Sequence, residues 1–272
     1  MRKIGRSVIL LFFVAVLVFS LWKLWGILCS YQEGKNSYRD LEQYISFDKS
    51  MEATAEDAVP ETEKNVENAM QAEATEEADI SMLPCVDFNQ LSKINPDIVG
   101  WIVIEGTNIN YPVVQGDNDD YYLTHLFDGT YNGAGCIFLD SDCEPDFSGR
   151  HSIIYGHNMK DKSMFANLVE YKNQEFYNTH PTAILITPDM YYKIHFFSGY
   201  VSDTWANAWD LSFNDYEYLD WLHELQRKSC FTTECVPTKA DRVLTLSTCT
   251  YEFDTAKFVL HGYLSELKEN KQ

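Results

Sequence analysis

An apolar run of 21 residues, Val8 to Leu28, interrupted by a single charge at Lys23, restricts this chain more than any other feature. As a helix it has the length needed to cross a bilayer core of roughly 30 Å. Trp22 and Trp25 stand where interfacial aromatics gather, and Arg2, Lys3 and Arg6 flank its N-terminal side. The positive-inside rule then leaves the N-terminus in the cytoplasm and everything after residue 29 outside, in a single-pass arrangement. A cleaved signal peptide is the competing reading, but no small-x-small site follows the run. Cys29 invites a lipoprotein reading, and Leu28 is too bulky for that kind of cleavage site. The expectation is an uncleaved anchor holding the chain to the plasma membrane through residues 8–28.

Composition divides the rest. Net charge is −20, and residues 51–80 hold ten Asp/Glu against Lys64 alone. Such a segment has too little apolar surface to order itself, so residues 30–83 are expected to form an acidic, largely disordered extracellular tether and residues 84–272 the globular domain. The acidic balance excludes nucleic-acid binding, which needs a basic face. The seven cysteines include no C-x-x-C pair and no zinc spacing, so no metal site is expected. Cys136 with Cys143, or Cys230 with Cys235, are within pairing range, and the sequence does not decide between bonded and free. Asp140, Asp142, Glu144 and Asp146 alternate like a calcium loop but lack its Gly and distal Glu, and a solvated acidic loop is the better reading.

From Val86 the chain shows many short strand patterns and few helices. Strands are expected at Ile98–Ile104, Asn108–Val114, Cys136–Leu139, His151–Tyr155 and Lys257–Leu264, and a hairpin at Ala183–Thr187 and Met190–Val201. Short helices are expected at Phe88–Ile94 and Asp119–Phe127, with helical turns between Ser163 and Tyr177. An insertion, Ser202–Asp241, holds one strong helix signal: Asn214-x-x-Glu217 is a capping-box pattern, and Tyr218, Trp221, Leu222 and Leu225 share a face. Without βαβ alternation, the fold expected is mainly β, a closed or nearly closed antiparallel-rich barrel.

Val243-Leu-Thr-Leu-Ser-Thr-Cys249 is the most informative strand. Leu244, Leu246 and Thr248 share one face, expected to meet the core. Val243, Thr245, Ser247 and Cys249 share the more polar one. A thiol at a strand end beside hydroxyls suits a nucleophile, although a free Cys also packs as a small buried hydrophobe. A thiol nucleophile needs a histidine partner. His157 follows Tyr155-Gly156 where a strand ends. His151 opens that same strand, at the opposite end, and His261 is a secondary candidate. Lys257, eight residues after Cys249, would face it across an antiparallel pair. Arg242 and Arg150 lie at the wrong ends of their strands.

Leu244-Thr-Leu-Ser-Thr-Cys249 resembles the signature strand of sortases, and Tyr155-Gly-His157-Asn-Met159 their histidine segment. Asn95-Pro-Asp-Ile-Val-Gly-Trp101, Tyr111-Pro-Val-Val-Gln-Gly116, Ile137-Phe-Leu-Asp140, Phe253–Gly262 and the helix-bearing insertion resemble class B members in the same order. The resemblance implies a closed eight-stranded sortase barrel on the outer face of a Gram-positive membrane. It implies a transpeptidase: Cys249 attacks a C-terminal sorting motif of secreted proteins, between Thr and Gly or Asn. A thioacyl enzyme forms, and an amine of the peptidoglycan precursor resolves it. His157 would be the general acid/base, and no cofactor is implied. The family has Arg where this chain has Lys257, which offers a compact charge instead of a rigid fork for the oxyanion and substrate. Substrate contacts implied by relatives fall on Gln115–Tyr122 and Thr204–Ser212, naming Gln115, Asn118 and Trp205, with Ser247, Thr248 and Tyr155 beside the thiol. Trp205 and Trp209 serve equally well as packing. Alternatives are a degenerate protein that binds sorting signals with little turnover, and a plain cysteine hydrolase.

Overall fold

The computed structural model describes residues 2–47 and 83–270. The elements that matter here are α1 (Arg2–Leu41), β1 (Ile45–Ser46), β2 (Cys85–Val86), α2 (Phe88–Ile94), β3 (Ile98–Val103), β4 (Asn110–Val114), β5 (Ile137–Leu139), β6 (His151–Tyr155), α3 (Gln174–Thr179), β7 (Thr182–Ile186), β8 (Met190–Ser202), α4 (Asp215–Lys228), β9 (Arg242–Cys249) and β10 (Lys257–Glu269). Eight strands close into a barrel in the order β10-β8-β7-β3-β4-β5-β6-β9. Two joins, β4 with β5 and β6 with β9, are parallel and the others antiparallel. Closure leaves no barrel strand with an unpaired edge.

Two apolar clusters hold this arrangement. The larger fills the barrel and spreads beneath α2, with Trp101, Ile102, Phe138, Ile154, Leu244, Leu246, Phe258 and Leu260 among its buried members. The smaller lies outside the wall, where α4 sets Tyr218, Trp221, Leu222 and Leu225 against Val243 of β9, Val259 of β10 and Phe197 and Tyr200 of β8. The capping box that starts α4 is formed: Asn214 Oδ1 accepts from the Glu217 amide, and Glu217 Oε2 accepts from the Asn214 amide. A cap of this kind contributes about 1 kcal/mol. Covering both faces of β9 changes its expected polarity, because Val243 to Thr248 are all buried. The face carrying Thr245 and Ser247 is roofed by the insertion, and the strand pattern alone does not reveal the roof.

The expected helix at Asp119–Phe127 shrinks to one turn, Tyr121–Leu123. Local side-chain bonds compete with the helix here: Asn118 Oδ1 accepts from the amides of Asp120 and Tyr121, and Asp128 Oδ1 from that of Thr130. All seven cysteines are free.

At the N-terminal side, where the tether was expected to begin and a short helix to fall at Tyr38–Phe47, α1 instead continues from the apolar run to Leu41, and residues 30–46 lie against the barrel. Tyr38 donates from its hydroxyl to the Gly135 carbonyl and stacks edge-on with Tyr111, and Asn132 Nδ2 donates to the Ser30 carbonyl. Gly34 permits the approach, because a Cβ there would stand 3.3 Å from Ala134 Cβ. Beyond the helix, β1 pairs with β2, Ile45 opposite Val86. The acidic stretch expected at residues 51–79 lies outside the described residues.

Candidate active site

Strand direction gathers the site. β6 and β9 run parallel, with Tyr155 beside Ser247, so the residue after β6 and the last residue of β9 emerge at the same rim. β10 returns antiparallel and places Lys257 directly opposite Cys249, with Ser202 of β8 on its other side. The hairpin between them is closed by the Thr250 amide donating to the Ala256 carbonyl at 3.0 Å.

Cys249 and Lys257 are both half-buried. Lys257 Nζ lies 3.0 Å from Cys249 Sγ. A cation at that distance stabilises negative charge on the sulfur or on an oxygen attached beside it. Among the described residues no carboxylate forms an ion pair with Lys257. Of the two acids in the same hairpin, Glu252 is taken by Lys172 and by the Thr250 hydroxyl, and Asp254 is exposed. Those bonds, that to Lys172 first, hold the Glu252 carboxyl down at about 2.

His157 is carried by a segment stitched to β9. The Gly156 amide donates to the Ser247 carbonyl at 3.1 Å. Thr248 Oγ1 donates to the Gly156 carbonyl at 2.7 Å, and Asn158 Nδ2 to the Cys249 carbonyl at 2.9 Å. Gly156 is required for this fit: a Cβ there would lie 2.4 Å from Ile137 Cδ1 and 2.7 Å from the Phe165 ring. The imidazole is oriented from the opposite side. His157 Nε2 stands 2.7 Å from the Leu123 carbonyl oxygen. A carbonyl only accepts, so Nε2 carries the proton and, in the neutral ring, Nδ1 is left as the acceptor. The Leu123 turn is itself fixed. The Tyr122 hydroxyl donates to Asp97 and accepts from Asn95 Nδ2, and the Cys136 amide donates to the Tyr122 carbonyl. That explains the chemistry of the Asn95-Pro96-Asp97 motif, which supports the histidine's partner from below.

The remaining expected contacts divide. Ser247 and Thr248 are beside the thiol, as their register demands, but buried, and the Thr248 hydroxyl is committed to Gly156. Tyr155 directs its hydroxyl to Asp140, at 2.8 Å. Gln115, expected as a substrate contact, is used structurally: β4 runs away from the rim, and the Gln115 amide donates to the carbonyls of Asp140 and Cys143. Asn118 caps the turn that carries Leu123, so its link to the site runs through backbone. Trp205, three residues beyond the strand end at Ser202 that flanks Lys257, is 91% exposed and free of packing. Trp209 packs on the outer cluster instead. His261 shares a face with Lys257 but is buried further down the wall, bonded to Thr245. Arg242 and Arg150 pair with Glu266 and Asp215, away from the thiol. Asn158 and the Leu123 carbonyl were not anticipated. Asn158 sits in the histidine motif without any mark of its role, and a carbonyl has no letter in a sequence.

Comparison with known proteins agrees with this geometry. The family model described as Sortase domain matches residues 102–265. Sortase B of Listeria monocytogenes is 35% identical over 181 residues, 65% of this chain and 74% of the relative. Sortase B of Staphylococcus aureus is 39% identical over 163 residues, 60% of this chain and 67% of the relative. Among solved structures, the Staphylococcus aureus sortase B–substrate complex superposes with a TM-score of 0.64 at 35% identity, covering 66% of this chain and 85% of the other. Bacillus anthracis sortase B in complex with AAEK1 gives 0.69 at 28% identity, covering 88% and 100%. A closed eight-stranded barrel with a helix-bearing insertion before its thiol strand, matched by model, sequence and structure alike, places this chain in the sortase family, in class B.

Proposed function

We propose that this class B sortase is a membrane-anchored cysteine transpeptidase with Cys249 as nucleophile, His157 as general acid/base and Lys257 as the charge facing the oxyanion. The observation that carries the reading is the 3.0 Å contact between Lys257 Nζ and Cys249 Sγ at the rim where His157 also emerges. Cys249 Sγ attacks the carbonyl within a sorting motif, between Thr and Gly or Asn. Lys257 steadies the oxygen as it becomes anionic, a contribution on the order of a hundredfold in rate. His157, its Nε2 held by Leu123, works through Nδ1: it takes the proton that the Cys249 thiol loses, gives it to the departing amine, and later takes a proton from the incoming one. The incoming amine belongs to the peptidoglycan precursor, and the steps as written use only side chains and substrates.

In α1, Leu11–Leu28 exposes its apolar side chains, and among the described residues it is the one helix long and apolar enough to cross a membrane. The basic flank sets the N-terminus inside and the barrel outside.

Mass spectrometry of the full chain with a panel of sorting-motif peptides tests the reading. The expected result is an acyl adduct on Cys249 that disappears when a small amine is added. No adduct with any peptide, while Lys257→Arg forms one, would replace catalysis by a binding role. An adduct released only as acid in the presence of amine would mean a hydrolase.

A further inference from the structure

Lys257 differs from the arginine implied by the family in more than shape. A guanidinium keeps its proton and is not a nucleophile, whereas an ε-amine becomes one when it loses its proton. The register fixes Lys257 across from Cys249, and its Nζ reaches 3.0 Å from Sγ. An acyl carbon bound to that sulfur would therefore form within reach of a primary amine, the same chemical class as the external acceptor. Glu252 is engaged by Lys172, and among the described residues no other acid holds Lys257 in place.

We propose that Lys257 is an internal acyl acceptor, to which the acyl group on Cys249 passes when external amine is scarce. The inference rests on Cys249 forming a thioacyl enzyme. The step converts Cys249–S–C(=O)–R and Lys257–NH₂ into Cys249–SH and Lys257–NH–C(=O)–R. A C–N bond forms and the C–S bond breaks. Sulfur leaves with the bonding pair and takes up the proton that the amine loses, so no oxidant, reductant or further reactant enters. While Lys257 is an ammonium it has no lone pair to donate and serves the oxyanion. Once deprotonated to water, the same atom attacks. Well-oriented intramolecular reactions reach effective molarities of roughly 10⁵ M or more, so even a small deprotonated fraction competes with dilute external amine. The product is a stable amide that removes the site's cation and fills its mouth. Enzyme lifetime becomes a partition between transfer and self-capture.

The test bypasses the sorting motif. Full chain in detergent and amine-free buffer is treated with phenyl thioacetate, which acetylates a reactive thiol by thioester exchange. Peptide mapping follows with and without hydroxylamine, which strips thioesters and spares amides. The expected sequence is a hydroxylamine-labile acetyl on Cys249, replaced over time by a stable acetyl on Lys257. That acetyl should form at least tenfold faster than on Lys172, which serves as internal control. Cys249→Ala should lose the rate advantage, added glycinamide should compete, and Lys257→Arg and Lys257→Gln should retain only the labile adduct. A labile adduct that hydrolyses with Lys257 unmodified overturns the proposal and leaves the transpeptidase reading intact. Equal acetylation of Lys257 in Cys249→Ala also overturns it. No labile adduct on Cys249 in any variant overturns the thioacyl reading, and the proposal with it.

Discussion

The strands β6, β9 and β10 bring together two polar trios, one at their rim and one within the wall, and the contrast between them shows what separates an open set from a sealed one. At the rim stand His157, Cys249 and Lys257, each half-buried. Lower in the same wall stand His151, Thr245 and His261, sealed beneath α4 and its Trp221. In the lower trio hydrogen bonds determine every proton. His151 Nδ1 donates to the Asp210 carbonyl at 2.8 Å, so its Nε2 accepts from the Thr245 hydroxyl at 2.7 Å. The Thr245 oxygen then accepts from His261 Nδ1 at 2.7 Å, which leaves His261 Nε2 an acceptor without a partner among the described residues. Both rings are neutral. Burial pushes His151 down to about 4 and His261 well below its ordinary value. In the upper trio the groups keep capacity to spare: Nδ1 of His157 and a thiol that faces a cation. Histidine thus belongs to a sealed, mutually bonded set in one place and to an open one in the other. Depth beneath α4 makes the difference.

Substitutions should separate the two sets cleanly. The largest effect on activity is expected from Cys249→Ala, which should abolish the peptide adduct while leaving the urea midpoint unchanged; a surviving adduct would move the nucleophile elsewhere. His157→Gln should lower turnover by about 10²–10⁴ with stability altered by under about 0.5 kcal/mol, read from kinetics and a urea melt on one preparation. Thr245→Val reverses the pattern. It strands two buried ring nitrogens and should cost about 2–3 kcal/mol of stability, with turnover per folded molecule unchanged.

Acid should act on the sealed trio as well. A histidine kept neutral in the fold down to about pH 4, against about 6.5 when unfolded, leaves the unfolded chain holding more protons in that window. Stability should therefore fall as pH drops from about 6.5 to about 4, by about 3 kcal/mol from His151 alone. Urea midpoints across that range check it, and a flat profile would mean that the ring is already charged in the fold. The smallest effect is expected from Asn158→Ala, which frees the Cys249 carbonyl and removes a bond worth about 1 kcal/mol, or roughly fivefold in turnover if fully expressed there.

What the sequence revealed follows the range of the forces involved. The helix Asp215–Lys228 was legible because its cap and apolar stripe are local, and the residues expected on its buried face are the buried ones. The ends of the strands that lead to His157 and Cys249 were legible because each pattern stops at a turn. The roof over Thr245 was not, since it depends on α4 docking from elsewhere in the chain. Gln115 was misread for the same reason: an amide in a loop shows no sign of the carbonyls it will meet some 25 residues later. Nor did the two-residue strands at Ile45 and Val86 offer any alternation to detect.

That last pairing bears on how α1 is held to the barrel. Ile45 and Val86 stand opposite each other on β1 and β2, so the segment that follows α1 is tied to the segment that leads into α2. Along α1 each residue adds about 1.5 Å and turns the helix by about 100°. One residue inserted between Leu28 and Gly34 would therefore swing the apolar stretch Leu11–Leu28 by more than a quarter turn against the barrel, a change of phase rather than of contacts.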